Sequence, residues 1–438
     1  MNPRSVRVAL QNVGCKLNHY ELEAFTAGFA RQGFEVVPFG AQADLYVVNT
    51  CTVTGSGDAD SRKAVRKARR ANPDATVVAT GCYAQRQPEA MRQAGAHVVV
   101  GNADKARLVE HIQAHLEGTQ VPEFDPAQRP QTSQFLSIEG GVEQGRTRGS
   151  LQIQDGCDEH CTYCIIPQVR GPGASRPAAE VVAQARAMVA AGYRELALTG
   201  VHTGSYGQDQ DQAGALVALL RELEDIEGLA RLRLNSIEPG YLSDELVAHA
   251  AGSSVLCRHF HVPLQSGDDR ILKKMNRRYT REYYAERIHT LARLVPDCAL
   301  GADVMVGFPG ESAEHFTATR ELIAGLPLTY LHVFPYSVRS GTPAQRLDAQ
   351  VDDATKAARA RELLGLGRDK RLEFHRRFLG RRLEVLVEDN PDPTTGLSTG
   401  LSDNYIKVVF PGHPEQVNQL VGVQVAQARE GLVYGELT

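Results

Sequence analysis

Three cysteines, Cys157, Cys161 and Cys164, fall within eight residues in the stretch Gln154-Asp155-Gly156-Cys157-Asp158-Glu159-His160-Cys161-Thr162-Tyr163-Cys164-Ile165-Ile166-Pro167. Thiolates are soft ligands for iron and zinc, and so short a loop delivers all three sulfurs to one metal centre. Three protein ligands leave one position over. A cubane iron–sulfur cluster held this way keeps one iron open, which distinguishes a reactive centre from a closed structural one. A Cys3His zinc site using His160 is the alternative. Zinc sites built on Cys-x2-Cys usually come as two pairs, and no second pair is present, so the spacing favours iron. The odd grouping and the close spacing argue against disulfides and for a reducing compartment.

Three further cysteines are far apart in sequence but share a setting. Cys15, Cys51 and Cys82 each follow an apolar run that reads as a strand: Val6–Leu10, Leu45–Val48 and Thr76–Ala79. A fourth run, His97–Val100, and helical patterns over Glu21–Gln32, Ser61–Ala71 and Pro88–Gly95 complete a β/α alternation. Such alternation predicts a doubly wound parallel sheet with helices on both faces. The carboxyl ends of its strands lie along one edge, where ligands bind. Buried free cysteines are common, but the repeated strand-end placement, with Gly or Thr before each cysteine, argues that these three meet.

Cys-x3-Cys-x2-Cys with an aromatic before the last cysteine is the signature of the radical S-adenosylmethionine enzymes. The longer string, from Gln154-Asp155-Gly156-Cys157 through Cys161-Thr162-Tyr163-Cys164-Ile165-Ile166-Pro167 to Arg170-Gly171, resembles the methylthiotransferase branch of that superfamily. So do Asn12-Val13-Gly14-Cys15-Lys16-Leu17-Asn18, Asn49-Thr50-Cys51-Thr52-Val53-Thr54 and Gly81-Cys82-Tyr83-Ala84-Gln85. The resemblance implies two [4Fe-4S] clusters, one on Cys157/Cys161/Cys164 and one on Cys15/Cys51/Cys82. It implies that S-adenosylmethionine is cleaved at the first, that the second carries or supplies sulfur, and that a second S-adenosylmethionine gives the methyl group. Sulfur insertion at an unactivated C–H bond suits this equipment, because the proton is too weakly acidic for any side-chain base and the hard chemistry must come from a cofactor. Thr199-Gly200-Val201-His202, Arg233-Leu234-Asn235-Ser236-Ile237-Glu238-Pro239 and His332-Val333-Phe334-Pro335-Tyr336-Ser337 look most like the subgroup acting on tRNA threonylcarbamoyladenosine next to the anticodon. Other subgroups act on isopentenyladenosine in tRNA or on a ribosomal-protein aspartate, and a non-catalytic iron–sulfur RNA-binding protein is the alternative of another class. The implied partners are tRNA, an electron donor of flavodoxin or ferredoxin type, and a sulfur donor.

A second β/α series runs through Leu151–Ile153, Glu195–Thr199, Leu232–Ile237, His259–Leu264, Gly301–Val306 and Leu331–Tyr336. Six units with chemistry at the strand ends predict a partial (β/α)6 barrel. Gly307-Phe308-Pro309-Gly310-Glu311 reads as a loop whose small residues admit a nucleoside, with Glu311 placed to orient a ribose or amino group. Glu238, a carboxylate in a barrel mouth, needs a cation such as a ligand ammonium. The family places S-adenosylmethionine against the strand ends, which here offer Tyr163, Thr199, Gly200, Glu238, Gln265 and residues 307–311.

The chain of 438 residues is long enough for two or three domains, and 42% hydrophobic with 23% charged residues is ordinary globular composition. No membrane-length apolar run is present, and Met1–Val8 lacks the features of a leader, so a cytoplasmic monomer is expected. The expected organisation is an N-terminal domain over 4–116, a linker over 117–142 with a short strand near Phe135–Ile138, a radical SAM core over 143–372, and a small antiparallel barrel over 375–438. That last segment shows four β runs, Leu383–Val387, Tyr405–Phe410, Leu420–Ala426 and Leu432–Leu437, and resembles the TRAM domain. Net charge of −4 leaves RNA contact to local patches. The acid-free run containing Arg62, Lys63, Arg66, Lys67, Arg69 and Arg70 is one, with Arg66 and Arg70 the RNA candidates. Arg376, Arg377, Arg381 and Arg382 at the TRAM entrance are another, and the basic and tyrosine-rich stretch Arg270–Arg287 is a weaker one. Cys257 and Cys298 have no partner at ligand spacing and read as core.

Overall fold

The computed structural model describes residues 5–119, 125–126, 135–138 and 147–438. Its first domain runs β1 (Arg7–Asn12), α1 (Lys16–Arg31), β2 (Glu35–Val37), β3 (Leu45–Thr50), α2 (Gly55–Ala71), β4 (Thr76–Gly81), α3 (Cys82–Arg86), α4 (Pro88–Ala94), β5 (Val98–Val99) and α5 (Leu108–Leu116). The sheet order is β2-β1-β3-β4-β5 with every pair parallel. Central β3 is buried at every residue, which is why its sequence is a continuous apolar run and not an alternation. Phe25 and Phe29 of α1 with Leu108 and Ile112 of α5 cover one face. Val65 and Ala68 of α2 with Met91 of α4 cover the other.

The second domain runs β6 (Arg148–Gln152), β7 (Gln154–Asp155), α6 (Ile166–Val169), β8 (Ala174–Ser175), α7 (Ala178–Ala190), β9 (Glu195–Thr199), α8 (Ala215–Glu224), β10 (Arg231–Leu234), α9 (Asp244–Gly252), β11 (His259–His261), α10 (Asp269–Lys274), α11 (Arg281–Leu294), β12 (Ala299–Val306), α12 (Ala313–Gly325) and β13 (Tyr330–Pro335). Parallel strands β6-β9-β10 and β11-β12-β13 form two sheets, joined by a parallel bridge from Ser236 to His261. Together they make the six-stranded open barrel. Leu151, Leu196, Leu198, Leu232, Leu234, Val304 and Val306 face the outer helices. The alternate residues face the lumen, where Arg233 pairs with Glu195 and Asp303 with His261 and His332.

Among the described residues β6 and β13 are the unpaired edges of this barrel, and the N-terminal domain spans them. α1 packs against β6. At the other edge, Gly55 donates to Ser337 Oγ at 3.2 Å and Asp58 pairs with Arg339 at 2.7 Å. α13 (Asp353–Arg376) then leads without a break into β14 (Arg382–Glu388), β15 (Ser398–Ser402), β16 (Lys407–Phe410), β17 (Leu420–Arg429) and β18 (Leu432–Leu437). These close in the order β14-β15-β16-β18-β17.

Three readings need correction. Phe135–Ile138 forms no strand; its backbone is held by side chains instead, with Tyr20 donating to Leu136 O and Gln184 gripping both polar groups of Ile138. β2 and β15 were not expected, one being a three-residue edge and the other a Ser/Thr/Gly stretch of low apolar content. The small barrel is not wholly antiparallel, because β16 and β18 pair in parallel. Of the linker, Pro122, Pro130, Gly140, Gly141 and Gly145 lie outside the described residues.

Candidate active site

Cys51 and Cys82 directly follow the ends of β3 and β4, Cys15 lies three residues past the end of β1, and the three converge. Gly14, at φ +105°, lies so close to Cys51 that a Cβ would strike its sulfur, and Gly81, at φ +94°, has no room for one beside the Thr50 backbone. Burial pushes the Cys15 thiol up, and a charge on Cys82 adds to that. Burial likewise takes Cys51 up to about 12, with Cys82 and Cys15 adding to it. Three soft sulfur donors brought together at one sheet edge are a ligand set suited to iron. The donor set therefore fits a cluster bound by three thiolates. Cys15 is exposed, whereas Cys51 and Cys82 are buried.

The second triad sits on the loop after β7. Cys157 N–H donates to Gly171 O at 3.2 Å, and Cys164 N–H to Cys161 O at 3.0 Å. Thr162 ties the loop to α10 through Met275 O and Lys274 O. Burial raises Cys157 to about 11 and Cys164 to about 12, and the charges of neighbouring thiols add in both cases. This set fits a three-thiolate cluster by the same reasoning. Gly156 enters the loop at φ +66°, where a Cβ would collide with the Pro172 carbonyl. Gly156→Ala is therefore expected to leave the protein folded with about half the bound iron after anaerobic reconstitution, read by iron and sulfide assay.

The strand-end residues gather around this loop in differing roles. The Tyr163 ring meets Phe308 edge-on at 6.4 Å, and Phe308 meets Tyr336 at 5.5 Å. Gly200 passes the Gln154 carbonyl with a clearance that excludes a side chain, while Thr199, ending β9, is buried. Gln265 takes a left-handed turn at φ +61°, stitched to Asp303 O and Met305 N–H. Gly307 and Gly310 both have positive φ and flank buried Phe308 and Pro309.

Glu311 accepts from Gly307 N–H at 2.9 Å and pairs with Arg359 of α13, so it fastens its own loop. Glu238 already has its cation. Arg277 pairs with it and also donates to Cys161 Sγ at 3.5 Å. This overturns Arg277 as part of an RNA-facing stretch. Tyr279, Tyr284 and Arg287 of the same stretch are also turned inward, whereas Arg278 and Tyr283 remain exposed.

Arg170 joins Cys82 of the first triad to Asp155, two residues before the second. Its Nε donates to Cys82 Sγ at 3.2 Å, its Nη1 to Glu21 Oε1 at 3.1 Å and Asp155 Oδ1 at 3.0 Å, and its Nη2 to Asn18 Oδ1 at 2.9 Å. Burial alone would raise Glu21, but Arg170 and Lys105 hold it down to about 2. The motif Arg170-Gly171 marked this residue without disclosing its target.

The barrel lumen supplies a third group. Asp303 Oδ1 lies 2.9 Å from His261 Nε2 and 3.3 Å from His332 Nδ1, and burial of Asp303 is outweighed by these histidines, which hold its carboxyl well below the usual range. Lys16, next to Cys15, reaches in from the other domain and donates to Asn235 Oδ1 at 2.8 Å. It is water-accessible yet hemmed in by protein, so burial, with Arg233 and Arg148, brings its ammonium down to about 8. Sequence reasoning missed Lys16, Asp303 and His261 as site residues; for Asp303 and His261 the two-residue alternation in their strands was the available signal, whereas Lys16 opens a helix and carried none.

Arg66 and Arg70 stand on the exposed face of α2. At the TRAM entrance Arg377 and Arg381 both pair with Asp297, Arg382 donates to Thr438 Oγ1, and Arg376 is exposed. Exposed ion pairs of this kind exchange readily for phosphate. Cys257 and Cys298 are buried in the core.

An open six-stranded barrel carrying a three-cysteine loop at its mouth defines a radical S-adenosylmethionine enzyme. The Radical SAM superfamily model matches residues 151–323, the uncharacterised protein family UPF0004 matches 7–101, and the TRAM domain matches 376–438. The threonylcarbamoyladenosine tRNA methylthiotransferase of Bacillus subtilis is 40% identical over 98% of this chain and 95% of its own. That of Aquifex aeolicus is 37% identical over 96% and 100%. The tRNA-2-methylthio-N(6)-dimethylallyladenosine synthase of Desulfitobacterium hafniense is 35% identical over 97% and 95%. The chain belongs to the radical S-adenosylmethionine methylthiotransferase family. In fold it also resembles a radical S-adenosylmethionine methyltransferase of Kitasatospora setae, with a TM-score of 0.58 and 21% identity over 78% of this chain and 77% of that one. Among the described residues no helix is long and apolar enough to cross a membrane.

Proposed function

We propose that this enzyme attaches a methylthio group to C2 of N6-threonylcarbamoyladenosine at tRNA position 37, 3′ of the anticodon. The observation carrying this reading is the pair of three-cysteine sets, with Arg170 bridging Cys82 of one to Asp155 at the entrance to the loop of the other, in a chain whose relatives of matching length include threonylcarbamoyladenosine tRNA methylthiotransferases. Two [4Fe-4S] clusters and S-adenosylmethionine, when bound, supply the radical and sulfur chemistry.

The protein's own part is placement. The Cys157 loop is fixed by Gly156 and by its bonds to α10, and Arg277 supplies a cation beside Cys161. Tyr163, Thr199, Gly200, Gln265 and Gly307–Gly310 form the S-adenosylmethionine cradle, while Glu238 and Glu311 hold its walls through Arg277 and Arg359. Arg66, Arg70, Arg376, Arg377, Arg381 and Arg382 meet the RNA backbone. A flavodoxin or ferredoxin delivers the electron, a separate donor restores sulfur, and the enzyme works as a cytoplasmic monomer.

Mass spectrometry of tRNA nucleosides from a deletion strain tests the substrate. Loss of the methylthio group from threonylcarbamoyladenosine alone is expected. Its loss from isopentenyladenosine or from a ribosomal-protein aspartate instead would overturn the assignment.

A further inference from the structure

The lumen holds several charges, and nearly all are matched. Arg233 lies on Glu195 at 2.7 Å, Arg148 on Glu388 at 2.6 Å, and Asp303 between two histidines. Lys16 differs. Its ammonium has a single hydrogen-bond partner, the neutral Asn235 amide, and among the described residues no carboxylate lies within ion-pair distance of it. It arrives from the N-terminal domain, in the residue after Cys15, and Cys15 is itself exposed.

A half-desolvated cation with spare donors calls for an anion. The substrate proposed above carries one. Threonylcarbamoyladenosine ends in a carboxylate, whereas the dimethylallyl group of the other tRNA subgroup is apolar. On adenine, N6 and C2 flank N1 on the same edge of the ring. A base whose C2 faces the sulfur held near Cys15 therefore presents its N6 substituent to the immediate surroundings of Cys15.

We infer that Lys16 is a specificity-determining residue which receives the threonyl carboxylate, with Asn235 holding the ammonium in place. This inference rests on the substrate reading of the preceding section. Asp303, within electrostatic reach of Lys16, is itself held by His261 and His332, which leaves the ammonium available to the ligand.

The test is binding of an anticodon stem–loop carrying threonylcarbamoyladenosine against the same stem–loop with that carboxyl as its methyl ester. Wild type is expected to prefer the free acid by about 10- to 100-fold, the range of a charge-assisted hydrogen bond. Lys16→Met should bind both alike and Lys16→Arg should keep the preference, each at wild-type iron and sulfide content. Lys16→Gln serves as the neutral variant if Lys16→Met loses its cluster. Equal binding of acid and ester by wild type overturns the inference, as does an undiminished preference in the neutral variants. The nucleoside analysis of the deletion strain does not involve Lys16, so it reports on the substrate reading separately.

Discussion

Cys157→Ala protein is expected to cleave no S-adenosylmethionine, whereas Cys51→Ala should retain part of that cleavage and insert no sulfur. Each variant should bind about four irons in place of about eight per chain, because each loses one of only three thiolates of one cluster. The split in activity follows from position. Cys157 belongs to the loop among Tyr163, Phe308 and Arg277 at the barrel mouth, and Cys51 to the strand-end set in the other domain. Iron analysis, 5′-deoxyadenosine release and methylthio-nucleoside formation, measured on the same samples, check it. Full sulfur insertion by Cys51→Ala would remove the second cluster from the account.

Arg170→Met should be the most damaging change outside the cysteines. The guanidinium is buried, and removing it leaves Glu21 with Lys105 as its cation, leaves Asp155 with the Gly156 N–H, and takes a donor from Cys82 and Asn18. Breaking a buried charge network from one side costs about 3–5 kcal/mol. Arg170→Lys should recover little of this, since an ammonium cannot reproduce the planar fork. Thermal unfolding and iron retention report the loss. Acid probes the same network: Glu21 has a folded pKa near 2, well below its ordinary value of 4.5, so its contribution is complete above pH 4.5 and is lost as pH falls toward 2. Glu21→Gln should be less stable at neutral pH and lose less across that window.

The architecture and the two cysteine sets were legible because both are written in local pattern. Apolar runs ending in Gly-Cys or Thr-Cys gave the strands and their ligands together, and the barrel strands announced themselves in the same way. What stayed hidden depends on partners distant in sequence. Glu311 looked like a ligand contact because its cation, Arg359, stands 48 residues further on. Glu238 looked unpaired for the same reason, its partner Arg277 having been read as surface. Lys16 and Arg170 act across the domain boundary, where periodicity within one segment says nothing about the other side. β15 was lost because Ser398-Thr399-Gly400-Leu401-Ser402 is buried by closure of its barrel and not by its composition.

The C-terminal barrel touches the enzyme where an RNA clamp need not. Arg231 and Arg233, at the inner ends of the lumen strands, donate to carbonyls of Leu401, Ser402 and Asp403, and Tyr405 stacks on His259 at 4.1 Å. This module is thus the floor of the reaction chamber as well as a handle for nucleic acid. Cutting it away would flood the Glu195–Arg233 pair with solvent from beneath. Fold integrity and RNA grip are fused in one piece of chain, so evolution cannot trade that piece as a detachable tether.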